Sequence, residues 1–175
     1  LGAERLYLVN MRMGDANGPQ PGSIAEAMET LAGLQQEELI GQLGVSNVTA
    51  EQVAEARAVT PIVCVQNMYN LANRWDDHLI DSLAADNIAY VPFFPLGGFS
   101  PLQADALTAV ATRLETTQML ETTQMAVALA WLLQRSENIL LIPGTSKVAH
   151  LRENITGASL SLTEQDLAEL DNINS

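Results

Sequence analysis

The fold predicted for this chain is decided by one stretch, Ile139-Leu140-Leu141-Ile142-Pro143-Gly144-Thr145-Ser146-Lys147. The four consecutive apolar residues at 139–142 are typical of a strand that is buried on both faces, and the Pro-Gly pair ends it. The Thr-Ser pair that follows is suited to capping a helix. Val148, Leu151 and Ile155 then recur at the spacing of one helical face, which predicts an amphipathic helix.

A strand, a tight turn and a helix start together form a natural binding site for an anion. The first amide groups of a helix have no partner within the helix, and the helix dipole favours negative charge beside them. Lys147 and His150 fall in the first turn, where their side chains could meet a phosphate. On spacing alone, an ordinary turn of an α/β protein is the simpler explanation of the same residues.

The composition is that of a folded, acidic chain. Its 175 residues are 47% hydrophobic and 17% charged, which provides enough apolar sequence for a core. The net charge of −13 repels phosphate backbones, so nucleic-acid binding is not expected, although it leaves room for one local anion site. No apolar run reaches the ~20 residues of a membrane helix, so no membrane association is expected. The single Cys64 fits a small buried hydrophobe in a reducing, cytoplasmic protein, and no metal site is predicted.

Predicted strands and helices alternate along the chain. Apolar runs predict strands at 6–9, 39–45, 62–66, 88–93 and 139–142. Helix starts are predicted at three pairs that can form a cap: Ser23 with Glu26, Thr49 with Gln52, and Thr163 with Asp166. This alternation indicates parallel βα units with right-handed crossovers. A complete (β/α)8 TIM barrel needs about 250 residues. Residues 1–175 are therefore predicted to be a single α/β domain, either a shorter doubly wound sheet or a partial barrel with the five predicted strands.

A hexapeptide occurs twice in succession. Residues 114–119 read Leu-Glu-Thr-Thr-Gln-Met, and residues 120–125 repeat them without change. The period is too short for a repeat protein, whose units are about 20 to 50 residues long. The copy is interpreted as a local duplication that lengthens a loop or extends one helix backwards by nearly two turns, with Thr116 or Thr122 as alternative caps. It implies no chemistry.

The ends of the predicted strands carry short motifs in a fixed order. Along the chain they are Leu6-Tyr7-Leu8-Val9-Asn10-Met11-Arg12, Gly44-Val45-Ser46-Asn47, Gln66-Asn67-Met68-Tyr69-Asn70, Phe93-Phe94-Pro95-Leu96-Gly97-Gly98, Ile142-Pro143-Gly144-Thr145-Ser146-Lys147 and Glu153-Asn154. In this order and at this spacing, they resemble the aldo-keto reductase family. The resemblance covers nearly the whole chain and corresponds to the fourth to eighth strands of the family's barrel. It implies an NADP(H)-dependent oxidoreductase that acts on aldehydes and ketones.

The resemblance implies a cofactor-binding role for each strand end. Ser46, Asn47 and Gln66 would hold the nicotinamide carboxamide, because hydroxyl and amide groups offer both donors and acceptors. Phe93 would lie against the nicotinamide ring. The other implied contacts are Leu96, Gly97 and Gly98 at the pyrophosphate, Gly144, Thr145, Ser146, Lys147 and His150 at the 2′-phosphate, and Glu153 and Asn154 at the adenine end. Singly, each residue has a structural alternative: Asn47 and Asn70 could end strands as Asx turns, and Phe93 could be a core residue.

The resemblance also implies which catalytic groups are missing. The family's catalytic Tyr, Lys and Asp come from the first part of the barrel, ahead of the part that this sequence matches. The fourth catalytic position, usually His, is Asn10, whose amide can orient a carbonyl group but cannot donate a proton at a useful pKa. The chain is therefore predicted to be truncated and inactive alone. The alternatives are a non-catalytic half-barrel that self-associates, and an enzyme completed by a separate chain carrying the first three strands.

An open parallel sheet leaves two edges unpaired, and an unpaired edge favours association with another strand. The expected partners are therefore a second copy of the chain, as a homo-oligomer such as a dimer, or a complementary N-terminal barrel fragment. A small carbonyl compound is the expected substrate. In this fold the loops at the strand ends determine which compound binds, so the sequence does not identify it.

Overall fold

The computed structural model describes residues 2–14, 18–97, 105–118 and 122–174. The chain packs as two compact units. The first comprises Leu1–Asn67 and Leu79–Val91, and the second comprises Met68–His78 and Pro92–Ser175. Within the described ranges, no helix combines the length and the apolar character needed to cross a bilayer.

The first unit is built on a parallel sheet. Its four strands, in spatial order, are β1 (Leu6–Arg12), β2 (Ile40–Ser46), β3 (Cys64–Gln66) and β4 (Ala89–Tyr90). The register places Arg12 beside Ser46 and Ser46 beside Gln66, so three polar residues form a row at the carboxyl ends of β1, β2 and β3. Val45 and Val65 are completely buried in the sheet. The predicted α/β class with parallel βα units is confirmed, and its polar residues lie where parallel sheets usually place functional groups.

Two predicted strands differ most from the structure, while β1 is longer and β3 shorter than predicted. β4 is shorter than the predicted 88–93, because Pro92 has no N–H group to donate to a neighbouring strand. The prediction of a fifth strand at 139–142 is wrong: apart from an isolated bridge position at Ile139, this segment has no strand assignment. Leu140 is 57% exposed and Ile142 is 46% exposed. Apolar residues supply only a propensity, and a strand forms only where a neighbour's backbone provides hydrogen bonds.

The helices of the first unit are α1 (Ala25–Gln36), α2 (Ala50–Val59) and most of α3 (Asp77–Ala85). The capping box predicted for α2 is confirmed, since Thr49 and Gln52 bond each other's backbone N–H groups. The capping box predicted for α1 is wrong, because its N-cap is Ile24. A carboxylate from α2 replaces it: Glu55 accepts hydrogen bonds from the Ser23 hydroxyl and from the Ile24 N–H, the latter at 2.8 Å.

The second unit is helical. It contains α4 (Asp105–Gln118), α5 (Gln124–Arg135), α6 (Val148–Gly157) and α7 (Glu164–Asp171), followed by a 3-10 turn, Asn172–Asn174. Every residue of α5 from 126 to 132 is buried, which makes it the central helix of this unit. Arg113 on α4 pairs with Asp166 and Glu169 on α7 and joins these two helices. The predicted cap at Thr163 is confirmed as a full capping box with Asp166.

α6 forms where it was predicted, but its apolar face is not covered. Val148 is 67% exposed, Leu151 is 50% exposed and Ile155 is 65% exposed. The helix approaches α5 at its last residue, Gly157, where an added Cβ atom would come within 2.9 Å of the Ala126 Cα. The absence of a side chain at Gly157 therefore sets how closely α6 packs on α5.

The two copies of the hexapeptide have different structures. The first copy continues α4 forwards to Gln118, whereas α5 begins only at Gln124, so the predicted backward extension of a helix is wrong. In the second copy, Thr123 caps α5 by accepting a hydrogen bond from the Ala126 N–H at 3.1 Å. The predicted caps are wrong, because Thr116 lies within α4 and Thr122 precedes the cap of α5. Residues 119–121 lie outside the described ranges.

Candidate functional site

Polar side chains bond to one another at the carboxyl ends of β1, β2 and β3. Asn10 Nδ2 donates to Gln66 Oε1 at 2.9 Å, and Cys64 Sγ donates to Asn10 Oδ1 at 3.3 Å. Both ends of the Asn10 amide are therefore held, which fixes the orientation of this side chain. A Cβ atom at Gly44 would collide with Asn10 Oδ1 and Cys64 Sγ, so the close approach requires glycine. Burial raises the pKa of the Cys64 thiol, which confirms the prediction of a buried, unreactive cysteine.

Ser46 and Asn47 follow each other at the end of β2 but bond differently. Ser46 Oγ accepts a hydrogen bond from Arg12 Nη1 at 3.0 Å, and its own hydroxyl hydrogen can still be donated. Asn47 is fully buried in the left-handed conformation, with φ of 57°. Its Nδ2 donates to the Met13 carbonyl at 2.6 Å and to the Gly18 carbonyl at 3.0 Å. Both amide hydrogens of Asn47 thus hold the segment that follows β1.

A cavity in the second unit collects several of the predicted cofactor residues. Its volume is about 440 Å³, and its lining residues are Phe93, Phe94, Pro95, Leu96, Ile142, Pro143 and Gly144. The two phenylalanine rings meet edge to face, with centroids 5.3 Å apart. Phe93 is nearly buried, so it forms part of a fixed apolar wall rather than a mobile surface. Such a wall with backbone groups beside it can hold a planar ring and the chain attached to it.

One wall of this cavity is a tight turn. The Gly97 N–H donates to the Phe94 carbonyl at 3.0 Å, Phe94 has φ of 54° and Gly97 has φ of 91°. A left-handed Phe is unusual because its side chain gains nothing locally to offset the steric cost. Gly98, also predicted to contact the pyrophosphate, lies outside the described ranges.

The opposite side of the cavity leads to the start of α6. Gly144 lies on the cavity wall, and a Cβ atom built there meets nothing within 4 Å. The N-cap of α6 is Lys147, whose side chain makes no capping bond. The expectation that Thr145 or Ser146 caps this helix is therefore wrong. Thr145 Oγ1 instead accepts a hydrogen bond from the Lys147 N–H at 3.1 Å. The amide groups of the first helical turn therefore remain directed away from the helix, as an anion requires.

The residues around this helix start are open to solvent. Thr145, Ser146, Lys147 and His150 are exposed, and so is Glu153 one turn further along; Asn154 is half-buried. Lys147 is the single lysine of the sequence, and it stands at the positive end of the α6 dipole. The donor set of the second unit thus combines helix amides, hydroxyl groups and an ammonium beside an apolar cavity. This chemistry fits the phosphates and a ring of NADP(H).

Two of the three tyrosines are buried in the core. Tyr69 is fully buried, and its hydroxyl donates to Asp77 Oδ1. Burial and this carboxylate raise the pKa of Tyr69 well above its ordinary value, so it neither reaches a substrate nor releases a proton readily. Tyr90 is also fully buried, whereas Tyr7 is 84% exposed on β1.

Tyr69 belongs to a buried cluster that the sequence did not reveal. Its ring stacks on Trp131, with centroids 5.9 Å apart and planes 14° apart. Asp77 also pairs with Arg74 at 3.1 Å and with Arg135 at 3.3 Å. Burial would raise the pKa of Asp77, but the Tyr69 hydrogen bond and the two arginines outweigh it and lower this pKa. Asp77 lies in the first turn of α3, and the helix dipole there is only one of several interactions that stabilise its charge.

Two further residues at the strand ends were missed. Arg12 was treated only as the end of a strand, yet the register brings it beside Ser46. Asn70 forms the expected Asx turn, since its Oδ1 accepts the Ala72 N–H at 2.9 Å, but its Nδ2 also donates to the Phe94 carbonyl at 2.9 Å. The sequence signal for either residue was its position as the last residue of a strand-end motif, 6–12 or 66–70.

Comparison with known proteins agrees with this architecture. A family model described as the aldo/keto reductase family matches residues 5–175. The chain is 58% identical over 175 residues to pyridoxine 4-dehydrogenase of Escherichia coli K12, and the match covers 99% of this chain and 59% of that protein.

Two solved structures share the fold. The crystal structure of a thermostable aldo-keto reductase with the inhibitor epalrestat has a TM-score of 0.80 and 25% identity, covering 98% of this chain and 61% of that one. An aldo/keto reductase from Klebsiella pneumoniae, in complex with NADP and acetate, has a TM-score of 0.74 and 22% identity, covering 96% of this chain and 58% of that one. The chain thus spans about three fifths of the length of these proteins, 58% to 61%. Because the family model matches almost every residue, the chain belongs to the aldo/keto reductase family.

Proposed function

We propose that this chain carries the NADP(H)-binding part of an oxidoreductase that interconverts a carbonyl compound and the corresponding alcohol. The observation that carries this proposal is the cavity of the second unit, with Phe93 and Leu96 on one side and Gly144 leading to α6 on the other. An apolar cavity beside a helix start and a lysine matches a ligand that has both a ring and phosphate groups.

Within this proposal, residues of the second unit take the phosphates. The first amides of α6 and the ammonium of Lys147 bind the 2′-phosphate, with His150 and the hydroxyls of Thr145 and Ser146 beside it. Leu96 and Gly97 keep the backbone close to the pyrophosphate, and Phe93 packs on the nicotinamide. When bound, NADP(H) supplies or accepts the hydride of the reaction.

In the first unit, the proposed ligand groups lie at the strand ends. Ser46 and Gln66 offer a hydroxyl and an amide for the nicotinamide carboxamide, and Asn47 follows Ser46 at the end of β2. Asn10 is held by Cys64 and Gln66, and in this proposal it orients the substrate carbonyl without transferring a proton. The proposed roles of Glu153 and Asn154 at the adenine stay predictions.

The same proposal holds that this 175-residue chain by itself does not turn over substrate. Proton transfer to a carbonyl oxygen needs an accessible acid with a tuned pKa. Tyr69 and Tyr90 are buried, Tyr7 lies on β1, and the one lysine is assigned to phosphate binding. The expected result is saturable cofactor binding without carbonyl-dependent NADPH oxidation.

We propose a small aromatic alcohol or aldehyde of the pyridoxine type as the substrate class of the complete enzyme. The support is the 58% identity to a protein named pyridoxine 4-dehydrogenase, whose name indicates oxidation at one carbon of a substituted pyridine. This chain matches 59% of that relative. The other loops that face the substrate in such an enzyme belong to the part of the barrel outside this match.

A titration with NADPH and NADH tests the phosphate assignment. The Lys147→Ala variant should weaken NADPH binding by about tenfold, since it removes a charge-assisted hydrogen bond, and should change NADH binding by less than about twofold. Arg57→Ala is the matched control, because it removes one positive charge from a surface ion pair with Asp86 in the first unit. Equal losses for both cofactors, or no NADPH binding to the native chain up to millimolar concentration, would contradict the proposal.

A second candidate function is a non-catalytic module that associates with a copy of itself or with a complementary N-terminal barrel fragment. The observation in its favour is exposed apolar surface: on the outer strand of the described sheet, Leu6 is 37% exposed, Tyr7 is 84% exposed and Leu8 is 40% exposed. Exposed apolar surface of this kind favours association. Light scattering after size exclusion separates the readings, since a stable monomer that binds NADPH would exclude self-association as the function. A cytoplasmic location stays a prediction.

A further inference from the structure

Asn70 is a buried residue with both ends of its side chain engaged. It is 3% exposed, and its Oδ1 accepts the Ala72 N–H while its Nδ2 donates to the Phe94 carbonyl, each at 2.9 Å. Its backbone is held as well, by reciprocal hydrogen bonds with Asn73 at 3.0 and 2.9 Å. A side chain fixed at this many points cannot rotate without breaking bonds inside the protein.

The acceptor of the Asn70 amide is the carbonyl that closes the tight turn on the cavity wall. The Phe94 carbonyl accepts two hydrogen bonds, one from Asn70 Nδ2 at 2.9 Å and one from the Gly97 N–H at 3.0 Å. Phe94 also has a left-handed backbone, with φ of 54°. Residues in this conformation persist where surrounding contacts over-determine them, and Asn70 supplies one such contact from outside the turn.

The support beneath Asn70 is rigid. The neighbouring Tyr69 stacks on Trp131 of α5 and donates to Asp77, which is held in turn by two arginines. Asn70 is therefore attached to the central helix of the second unit, while its amide reaches the cavity wall. The cavity itself is lined by the turn and not by Asn70.

We infer that Asn70 is a positioning residue for the cofactor: its amide holds the turn from Phe94 to Gly97 in the shape that receives the pyrophosphate. This inference rests on the proposed function, because it assigns a supporting residue to the same cavity. Asn70 does not touch the ligand in this account. It acts through the Phe94 carbonyl. Without the Asn70 amide, the turn that positions Phe93 and Leu96 at the cavity would be less rigid.

Asn70→Asp is the sharpest variant for testing this inference. A carboxylate of the same shape still accepts the Ala72 N–H, but it has no hydrogen to donate to the Phe94 carbonyl. Ala72→Asp is the matched control, since it adds the same charge on an exposed side chain two residues away and keeps the backbone N–H that Asn70 accepts. Asn70→Ala is the uncharged second variant, and near-ultraviolet circular dichroism of Trp131 reports whether each protein is folded.

Two readouts are needed, one with cofactor and one without. We expect Asn70→Asp and Asn70→Ala to raise the Kd for NADPH by about tenfold, and to speed amide exchange of Gly97 in the free protein by a similar factor. Ala72→Asp should change both by less than about twofold. A purely structural role would lower overall stability without singling out the Gly97 amide.

The experiment distinguishes failure of the proposed function from failure of the positioning role of Asn70. If the native chain binds no NADPH, the proposed function is overturned and this inference falls with it. If the native chain binds NADPH while folded Asn70→Asp and Asn70→Ala proteins keep the native Kd and the native exchange rate at Gly97, the positioning role alone is overturned.

Discussion

Two helical glycines should respond to alanine with opposite signs. At Gly157, the last residue of α6, a Cβ atom would come within 2.9 Å of the Ala126 Cα and 3.1 Å of the Ala126 carbonyl oxygen on α5. Both are backbone atoms and cannot swing away as a flexible side chain would. At Gly33, inside α1, the same Cβ atom would meet nothing within 4 Å.

The magnitudes follow from competing terms. Overpacking at Gly157 costs about 1 to 3 kcal/mol, and alanine returns less than about 1 kcal/mol of helix propensity at a helix end. Gly157→Ala should therefore destabilise the chain by about 1 to 2 kcal/mol. Gly33→Ala should stabilise it by about 0.5 to 1 kcal/mol, because only the propensity term remains.

Urea denaturation followed by circular dichroism and by the fluorescence of Trp75 and Trp131 measures both changes. The fluorescence follows the second unit, in which Trp131 is buried, and the circular dichroism follows all helices. If Gly157→Ala stabilised the protein as much as Gly33→Ala, the close packing of α6 on α5 would be refuted.

Two more predictions concern buried polar groups. Burial alone would raise the pKa of Asp166, but its hydrogen bonds from Thr163 and its pair with Arg113 outweigh burial and lower it. The folded protein therefore binds fewer protons at this site than the unfolded chain does, so its stability contribution is present above the ordinary pKa of about 3.9 and is lost as the pH falls further. Urea midpoints measured between pH 6 and pH 3 should drop more for the native protein than for Asp166→Asn; parallel curves would contradict the assignment. Tyr69→Phe should lower the free energy of unfolding, measured by urea denaturation, by about 1 kcal/mol, because it removes one hydrogen bond to Asp77. Asp77 keeps its two arginine partners in this variant. An unchanged free energy of unfolding would show that the Tyr69 hydroxyl does not stabilise the fold.

Local sequence rules succeeded where the partners were local. The capping boxes at Thr49 and Thr163 need only residues three positions apart, and both form. Ser23 satisfies the same rule, but its box does not form: the helix is capped at Ile24, and Glu55, distant in sequence, accepts hydrogen bonds from the Ser23 hydroxyl and the Ile24 N–H. The duplicated hexapeptide makes the same point, since identical residues end α4 in one copy and cap α5 in the other.

The fold class followed from strand–helix alternation, whereas the details of the site depended on tertiary partners. The segment 139–142 has strand composition, but composition does not provide a neighbouring strand. The bond from Asn70 to Phe94 joins residues 24 positions apart, and the Arg12 to Ser46 bond joins residues 34 apart. Neither separation follows a helical or strand period, so periodicity could not reveal them. Resemblance located the strand-end motifs but not the side chains that hold them.

The central claim is that the second unit binds the phosphate end of NADP(H) between the turn at 93–97 and the start of α6. Amide chemical shifts of the labelled chain during titration with NADPH test it most directly. The account predicts saturable shifts concentrated at Phe93, Leu96 and Gly97 and at 144–150, with smaller shifts for NADH around Lys147. Absence of shifts up to millimolar NADPH, or shifts confined to other parts of the chain, would contradict it.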